Sequence, residues 1–190
     1  MRIQVAGRRR GAASTAAAFP GAQIIDVTSR AGEPWVKLSP FYPHGGIPVP
    51  FTPGATSASV EGIWQALKVF EHSDVDPAKL AVTSMRGLKR TVRGNGPVRG
   101  HRAGLAGDVL LGYEQARRLI YLPAYRWVLE HAAQDVIAQL RALSAAHDVV
   151  LLDYTTNGDV ADTASPLSHA ALVGHYLAGQ WPSESAPTGR

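Results

Sequence analysis

SVEGIWQALKVFE, residues 59–71, is the stretch on which the reading of this chain turns. Val60, Ile63, Trp64, Leu67 and Phe70 recur at helical spacing, which predicts a helix over Ser59–Glu71 with one apolar, core-facing side. Glu61, Gln65 and Lys68 fall at i, i+4 and i+7 beside that stripe, so their polar ends are expected along one line. A carboxylate and an amine on one rigid element can both address a single small ligand. The same pattern also describes a plain amphipathic helix with Glu and Lys on its wet edge.

Upstream, Arg30–Thr56 carries Pro34, Pro40, Pro43, Pro48, Pro50 and Pro53, which removes backbone donors and predicts irregular chain. Within it Trp35, Lys37, Phe41, Tyr42 and His44 either cover the core or wall a pocket. Earlier still, Arg2–Ala6 reads as a strand, Gly7–Gly11 as a basic turn, Ala12–Phe19 as a short helix and Ala22–Thr28 as a buried strand. That order outlines a nucleotide-binding unit, although GRRRG is not a G-x-G-x-x-G turn.

Downstream, Ser73–Lys79 is a polar turn, and Lys89–Gly107 (KRTVRGNGPVRGHRAGLAG) holds too many glycines for a regular element. Helices are expected over Asp108–Tyr121 and, after a break at Leu122-Pro123, over Ala124–Ser144. DVVLLD, Asp148–Asp153, is the clearest strand, followed by an acidic loop over Tyr154–Ala164. Ser165-Pro166 reads as an N-cap with Pro at N1, opening a helix to about Ala178. The sum is an α+β fold, helices predominating around a small sheet, in a single domain over 1–182 with a loose tail at 183–190.

At 190 residues the chain is long enough for one real core, and 45% hydrophobic with 18% charged residues describes a globular protein. The net charge of +4 is unevenly placed. Met1–Ile25 and Met85–Gly107 contain no acid and hold more than half of the 19 Lys and Arg, which favours an anionic partner such as a nucleotide or nucleic acid. With no cysteine, disulfides and Cys-based zinc sites are excluded, in keeping with a cytoplasmic protein. No run approaches membrane-spanning length, and no strongly apolar segment follows Arg8-Arg9-Arg10, so neither a membrane partner nor a secretory leader is expected.

Phe41-Tyr42-Pro43 followed by Val60-Glu61-Gly62-Ile63-Trp64-Gln65-Ala66-Leu67-Lys68-Val69-Phe70 resembles the NADAR (NAD- and ADP-ribose-associated) family, whose pattern is an F-Y-P loop and then a helix V-E-H-x-Y-x-A-x-K-F. Gly62 stands where that pattern has His. The resemblance covers Leu38–Phe70 and implies a NADAR-like domain that acts as an N-glycosidase, without cofactor, on a nucleotide or an ADP-ribose conjugate such as ADP-ribosylated guanine. It implies a Schiff-base role for Lys68. Such a cleavage builds positive charge on ribose and needs a proton for the leaving base, a task suited to Glu61 in a partly apolar wall. Phe41, Tyr42, Trp64 and Gln65 are then expected to wall the base or ribose.

Two other constellations carry chemistry. Arg86, Lys89, Arg90, Arg93, Arg99 and Arg102 with His101 lie on Gly-spaced chain, where guanidinium forks and backbone N–H groups can close on phosphate. Of these, Lys89, Arg90, Arg93, His101 and Arg102 are taken as substrate-binding. Asp153, Asp159 and Asp162 follow the clearest strand, and Asp153 with Asp159 are candidates for general base duty in a nucleoside transferase, a rival reading. A further rival is a non-catalytic module that binds nucleic acid or ADP-ribose through the Arg/Gly stretch. Asp153-x-Thr155-x-Asn157-Gly158 resembles the start of a calcium loop, but Ala164 occupies the place of its bidentate Glu. His169 and His175 point to different helix faces, there is no H-E-x-x-H, and no metal site is expected. No G-x-S-x-G elbow is present.

Overall fold

A computed structural model describes residues 3–185. In chain order its elements are β1 (Ile3–Gly7), α1 (Ala12–Ala18), β2 (Gln23–Asp26), β3 (Ile47–Pro48), β4 (Thr56–Ser57), α2 (Val60–Leu67), β5 (Lys68–Phe70), α3 (Val92–Asn95), β6 (Val98–Arg102) and β7 (Leu110–Leu111). There follow α4 (Tyr113–Ala116), a π-helical turn (Arg117–Tyr121), α5 (Leu122–Trp127), a second π turn (Val128–Ala132), α6 (Gln134–Ala146), β8 (Val149–Asp153) and α7 (His169–Leu177). The fold is α+β. Its strands form small sheets, and the chain falls into two compact units. One comprises the chain up to Ser39 with Leu129–Pro182, the other Pro40–Val128 with the segment from Ser183.

The first unit is organised by DVVLLD. Val149, Val150 and Leu151 are fully buried, as befits a strand covered on both faces, and β8 lies between β1 and β2 in parallel order β1-β8-β2. Val5 faces Leu151 across one edge and Ile25 faces Leu151 across the other. Helices α6 and α7 add Val136, Ile137, Leu140, Leu172 and Val173 to the core. The last helix starts later than the Ser165-Pro166 signal predicts. Its N-cap is Ser168, whose Oγ accepts from Ala171 N–H (3.2 Å) and donates to Asp153 Oδ2 (2.8 Å), so the end of β8 fixes where the helix begins. The expected long helix over Ala124–Ser144 is divided, with Ala133 at φ −119°, ψ 22° ahead of α6.

In the second unit α2 and the antiparallel sheet β5-β6-β7 set the frame. Helix α2 is capped by Ser59, whose Oγ accepts from Gly62 N–H at 3.0 Å. It ends at Leu67, before the Glu71 that periodicity predicts. Lys68 is extended (φ −70°, ψ 130°) and opens β5, because Lys68 pairs with His101 and Val69 with Gly100 on β6. Lys89–Gly107 therefore contains α3 and β6 in place of the expected irregular chain. Gly100 is what permits this: at φ 154°, a Cβ there would stand 2.5 Å from the Leu111 carbonyl of β7. Asp108–Tyr121, expected to be helical throughout, starts with β7 and turns helical only at Tyr113. Pro123 falls in the first turn of α5, as expected, but no break precedes it, since α5 follows directly on the π turn.

Of the tail expected at 183–190, the Ser183 carbonyl accepts from Arg118 (3.0 Å) and Glu184 lies 3.8 Å from Arg126; residues 186–190, like Arg2 of the first predicted strand, lie outside the described residues. No helix among the described residues is long and apolar enough to cross a membrane.

Candidate active site

Gly62 lets α2 dock. A Cβ there would lie 2.8 Å from both the Lys79 carbonyl and Ser57 Oγ, so no side chain fits where the NADAR pattern has His. The Phe-Tyr-Pro loop is tied to the same helix end, since Glu61 N–H donates to the Pro40 carbonyl (2.8 Å). One turn on, Gln65 Nε2 donates to Glu61 Oε1 (2.8 Å), and Gln65 Oε1 accepts from Arg90 N–H (2.9 Å). Glu61 and Gln65 are buried, not on a wet edge. Burial pushes the Glu61 carboxyl above its usual range, against the Gln65 hydrogen bond and the charges of Lys68 and Lys89.

Lys68 leaves the line of Glu61 and Gln65 because it belongs to β5. It enters a cavity of about 410 Å³ with Trp64, while Val98, Arg99, Gly100 and His101 of β6 and Tyr113 of α4 complete the wall. Burial lowers the proton affinity of the Lys68 amine, and neighbouring Lys89 and Arg90 lower it further, outweighing Glu61. Trp64 is half-buried and faces this cavity instead of the core. Its indole lies 3.8 Å from the His101 ring and within 6 Å of Tyr113 (5.9 Å) and Tyr121 (5.8 Å), centre to centre. The Arg117 guanidinium sits 4.4 Å over the Tyr113 ring. Tyr113, Arg117 and Tyr121 escaped the sequence reading, although Y-x-x-x-R-x-x-x-Y spacing on a helix places such groups on one face.

The Arg constellation divides by role. Arg90 is not an open phosphate fork: its guanidinium donates to the carbonyls of Gln65 (3.3 Å), Lys68 (2.7 Å) and Asp74 (2.7 Å) and to Ser73 Oγ (2.8 Å), capping the end of α2. Arg102 is paired with Asp74 at 2.7 Å, and Arg99 with Glu71. Lys89 and Arg93 are exposed, and the Lys89 amine stands 5.5 Å over the Phe41 ring. His101 is no phosphate ligand either. It is 1% exposed, and burial with the Lys68 charge pulls it down to about 3, so it is a neutral imidazole. Phe41, Tyr42 and Glu61 are not among the residues that line the cavity; Tyr42 packs its ring against His44 at 4.7 Å.

Asp153 and Asp159 belong to the first unit. Asp153 is sealed in a hydrogen-bond network with Ser168 Oγ, His169 Nδ1 (3.0 Å) and the N–H groups of Tyr154 (2.7 Å) and Ala170 (3.3 Å). His169 Nε2 in turn meets the Val27 carbonyl at 2.8 Å. Asp159 and Asp162 each accept from a backbone N–H two residues on, at 2.9 and 3.0 Å, and so shape turns. Among the described residues no group of three or more His, Asp or Glu is placed to hold a metal ion.

The fold is thus α+β, and its second unit sets a half-buried lysine in an aromatic-walled cavity. The chain belongs to a family of unknown function, DUF6939, matched over residues 7–173. Comparison with curated proteins gives no match.

Proposed function

We propose that this chain is an N-glycosidase, needing no cofactor, that cleaves the base–ribosyl bond of a nucleotide or ADP-ribose conjugate. The observation that carries the reading is Lys68, an amine of depressed proton affinity on the wall of a cavity walled by Trp64 and Tyr113, with the buried Glu61 near enough for the two charges to interact. The likeness of Phe41–Pro43 and Val60–Phe70 to the NADAR pattern supports it. The neutral amine attacks C1′ of the ribose, and the C1′–N bond breaks with its electron pair leaving on the base. Glu61, whose carboxyl lies behind Lys68 and not on the cavity wall, takes the proton shed by the new C–N bond, and water relays it to the departing base. Opening of the C1′–O4′ bond, with the remaining nitrogen proton relayed through water to O4′, leaves an imine between Lys68 and C1′. Water then hydrolyses the imine, freeing the amine and the sugar aldehyde. Trp64 and Tyr113 offer faces for the flat base, and the exposed Lys89 and Arg93 offer charge to phosphate.

The test is to incubate the full chain with ADP-ribosylated guanosine, to follow free base by chromatography, and to trap the imine with borohydride for mass spectrometry of the peptide holding Lys68. Lys68→Ala is expected to lose both signals. Full base release by Lys68→Ala overturns the reading.

A further inference from the structure

His101 is an unusual group to find where it is. It stands directly across from Lys68 in the β5–β6 pairing, on the wall of the cavity, with the Trp64 ring centred 3.8 Å away and tilted by 35°. Both of its ring nitrogens are buried, and neither has a hydrogen-bond partner among the described residues. A buried imidazole carries one donor and one acceptor, and leaving both unmet is destabilising. Buried polar atoms are nearly always paired, so two orphans on one ring at a cavity wall point to a partner that arrives from outside. The lining side chains include two cationic groups, Lys68 and Arg99, and no carboxylate. A positively charged ring finds no counter-charge there.

We infer that His101 is the specificity-determining anchor of this cavity, and that its partner is the hydrogen-bonding edge of an uncharged planar ring, the base of a nucleotide. The inference rests on the N-glycosidase reading for the position of the reacting carbon. Cross-strand neighbours carry their Cβ atoms about 5 Å apart, so a ligand with its C1′ at Lys68 brings the attached base to His101. Its nitrogens are buried at the cavity wall, and the ligand displaces part of their cover, of which the Trp64 indole is the ring in direct contact. As an imidazole drawn down to about 3, His101 keeps its donor and its acceptor through the physiological range.

Two measurements on the full chain test this. The first is thermal stability. His101→Phe keeps a ring and removes the orphaned nitrogens, so Tm is expected to rise by about 2–4 °C. If the added ring bulk overpacks the site and lowers Tm, His101→Leu, which removes the nitrogens without that bulk, decides. The second is calorimetric binding of guanosine 5′-monophosphate and of nicotinamide mononucleotide, whose ring is cationic. Wild type is expected to bind the guanosine nucleotide at least ~10-fold more tightly, and the stabilised variant to lose that preference through a ~10-fold weaker grip on it. A fall in Tm for both variants makes His101 a structural group and overturns the inference. Unchanged binding in the variants, equal binding of the two nucleotides, or no binding by wild type overturns it too. The two readings fail separately. Selective binding that depends on His101 with no base release removes the glycosidase alone, and base release that is indifferent to His101→Phe or His101→Leu removes the anchor alone.

Discussion

Glu61 is destabilising to the fold as long as it is charged, and replacing it should make that visible. Burial raises its folded-state pKa above the unfolded value near 4.5. The sign follows: its contribution is fully present below the unfolded pKa and is lost as pH rises through the folded one. Glu61→Gln removes that loss while its Oε1 still accepts from Gln65. The variant should therefore show a higher urea midpoint than wild type at pH 8 and no difference near pH 3, with base release at least ~100-fold slower. Equal midpoints at pH 8 would mean that the carboxyl is not held against its charge. Lys68 makes the mirror case. Its amine is depressed from 10.5 first by burial and then by Lys89 and Arg90, so it should react with an aldehyde and cyanoborohydride at a pH where ordinary lysines are protonated. Lys89→Ala removes one neighbouring positive charge. The midpoint of the pH–rate curve should move upward toward 10.5, and labelling of Lys68 at pH 8, read by peptide mass, should slow.

Helix α2 and its neighbours show how one element depends on distant chain. Gly62→Ala would place a methyl 2.8 Å from the Lys79 carbonyl and Ser57 Oγ, and the backbone carbonyl with the buried hydroxyls of Ser57 and Ser59 leaves it little room to move. A cost of about 1–3 kcal/mol is expected, seen as a lower denaturation midpoint with unchanged slope. The start of α2 was legible in the sequence, since Ser59 is a good cap before an apolar periodic run. Its end was not. Lys-Val-Phe-Glu contains no helix breaker, and the helix stops at Leu67 because Lys68 and Val69 find partners in β6. That strand was hidden by its own glycines: the residue type that marks loops is here required by the approach of the Leu111 carbonyl to Gly100. The cavity was therefore half-readable. Lys68, Trp64 and His101 were each picked out from local pattern, whereas the placing of His101 beside Lys68 depends on pairing that local spacing does not encode. In the first unit β1, β2 and β8 were readable because apolar runs bounded by turn residues specify buried parallel strands with little outside help. The cap of α7 was misplaced by three residues for the opposite reason, since Ser168 is selected by Asp153 across the loop. Breaking that network by Asp153→Asn is expected to cost about 3–5 kcal/mol, because it leaves His169 buried without its carboxylate. Burial would raise Asp153, but His169, Ser168 and Tyr154 N–H together hold it below 3.8; burial would lower His169, but Asp153 and the Val27 carbonyl hold it above 6.5. The pair's stabilisation is then complete between those two values, and lost as pH falls through the folded pKa of Asp153 or rises through that of His169. A wild-type denaturation midpoint that shrinks on both sides of that window, and a flat profile in Asp153→Asn, would bear this out.

At the scale of the whole molecule, net charge alone does not decide whether nucleic acid is bound. The chain carries a charge of +4, and its basic residues cluster as a nucleic-acid-binding surface requires. Yet in the second unit Arg90 is turned inward to backbone carbonyls, Arg99 is held by Glu71 and Arg102 by Asp74. Each of those pairs neutralises a charge that a phosphate would otherwise meet. Arg86, Lys89 and Arg93 remain exposed. Each phosphate neutralised on a single strand contributes about 0.7 to the slope of log K against log salt, so the three exposed cations of this stretch account for at most about 2 of it. Fluorescence anisotropy with a labelled single-stranded oligonucleotide, at salt concentrations from 50 to 200 mM, should therefore give a slope of which this stretch supplies no more than that. Arg93→Ala should flatten it by about one cation's share, and Arg102→Ala should leave it unchanged, because that guanidinium is already committed to Asp74. A steep slope that Arg102→Ala reduces would mean that these ion pairs open toward phosphate, and would restore the reading of the chain as a nucleic-acid-binding module. A shallow one leaves the nucleic-acid-binding module without support from this stretch.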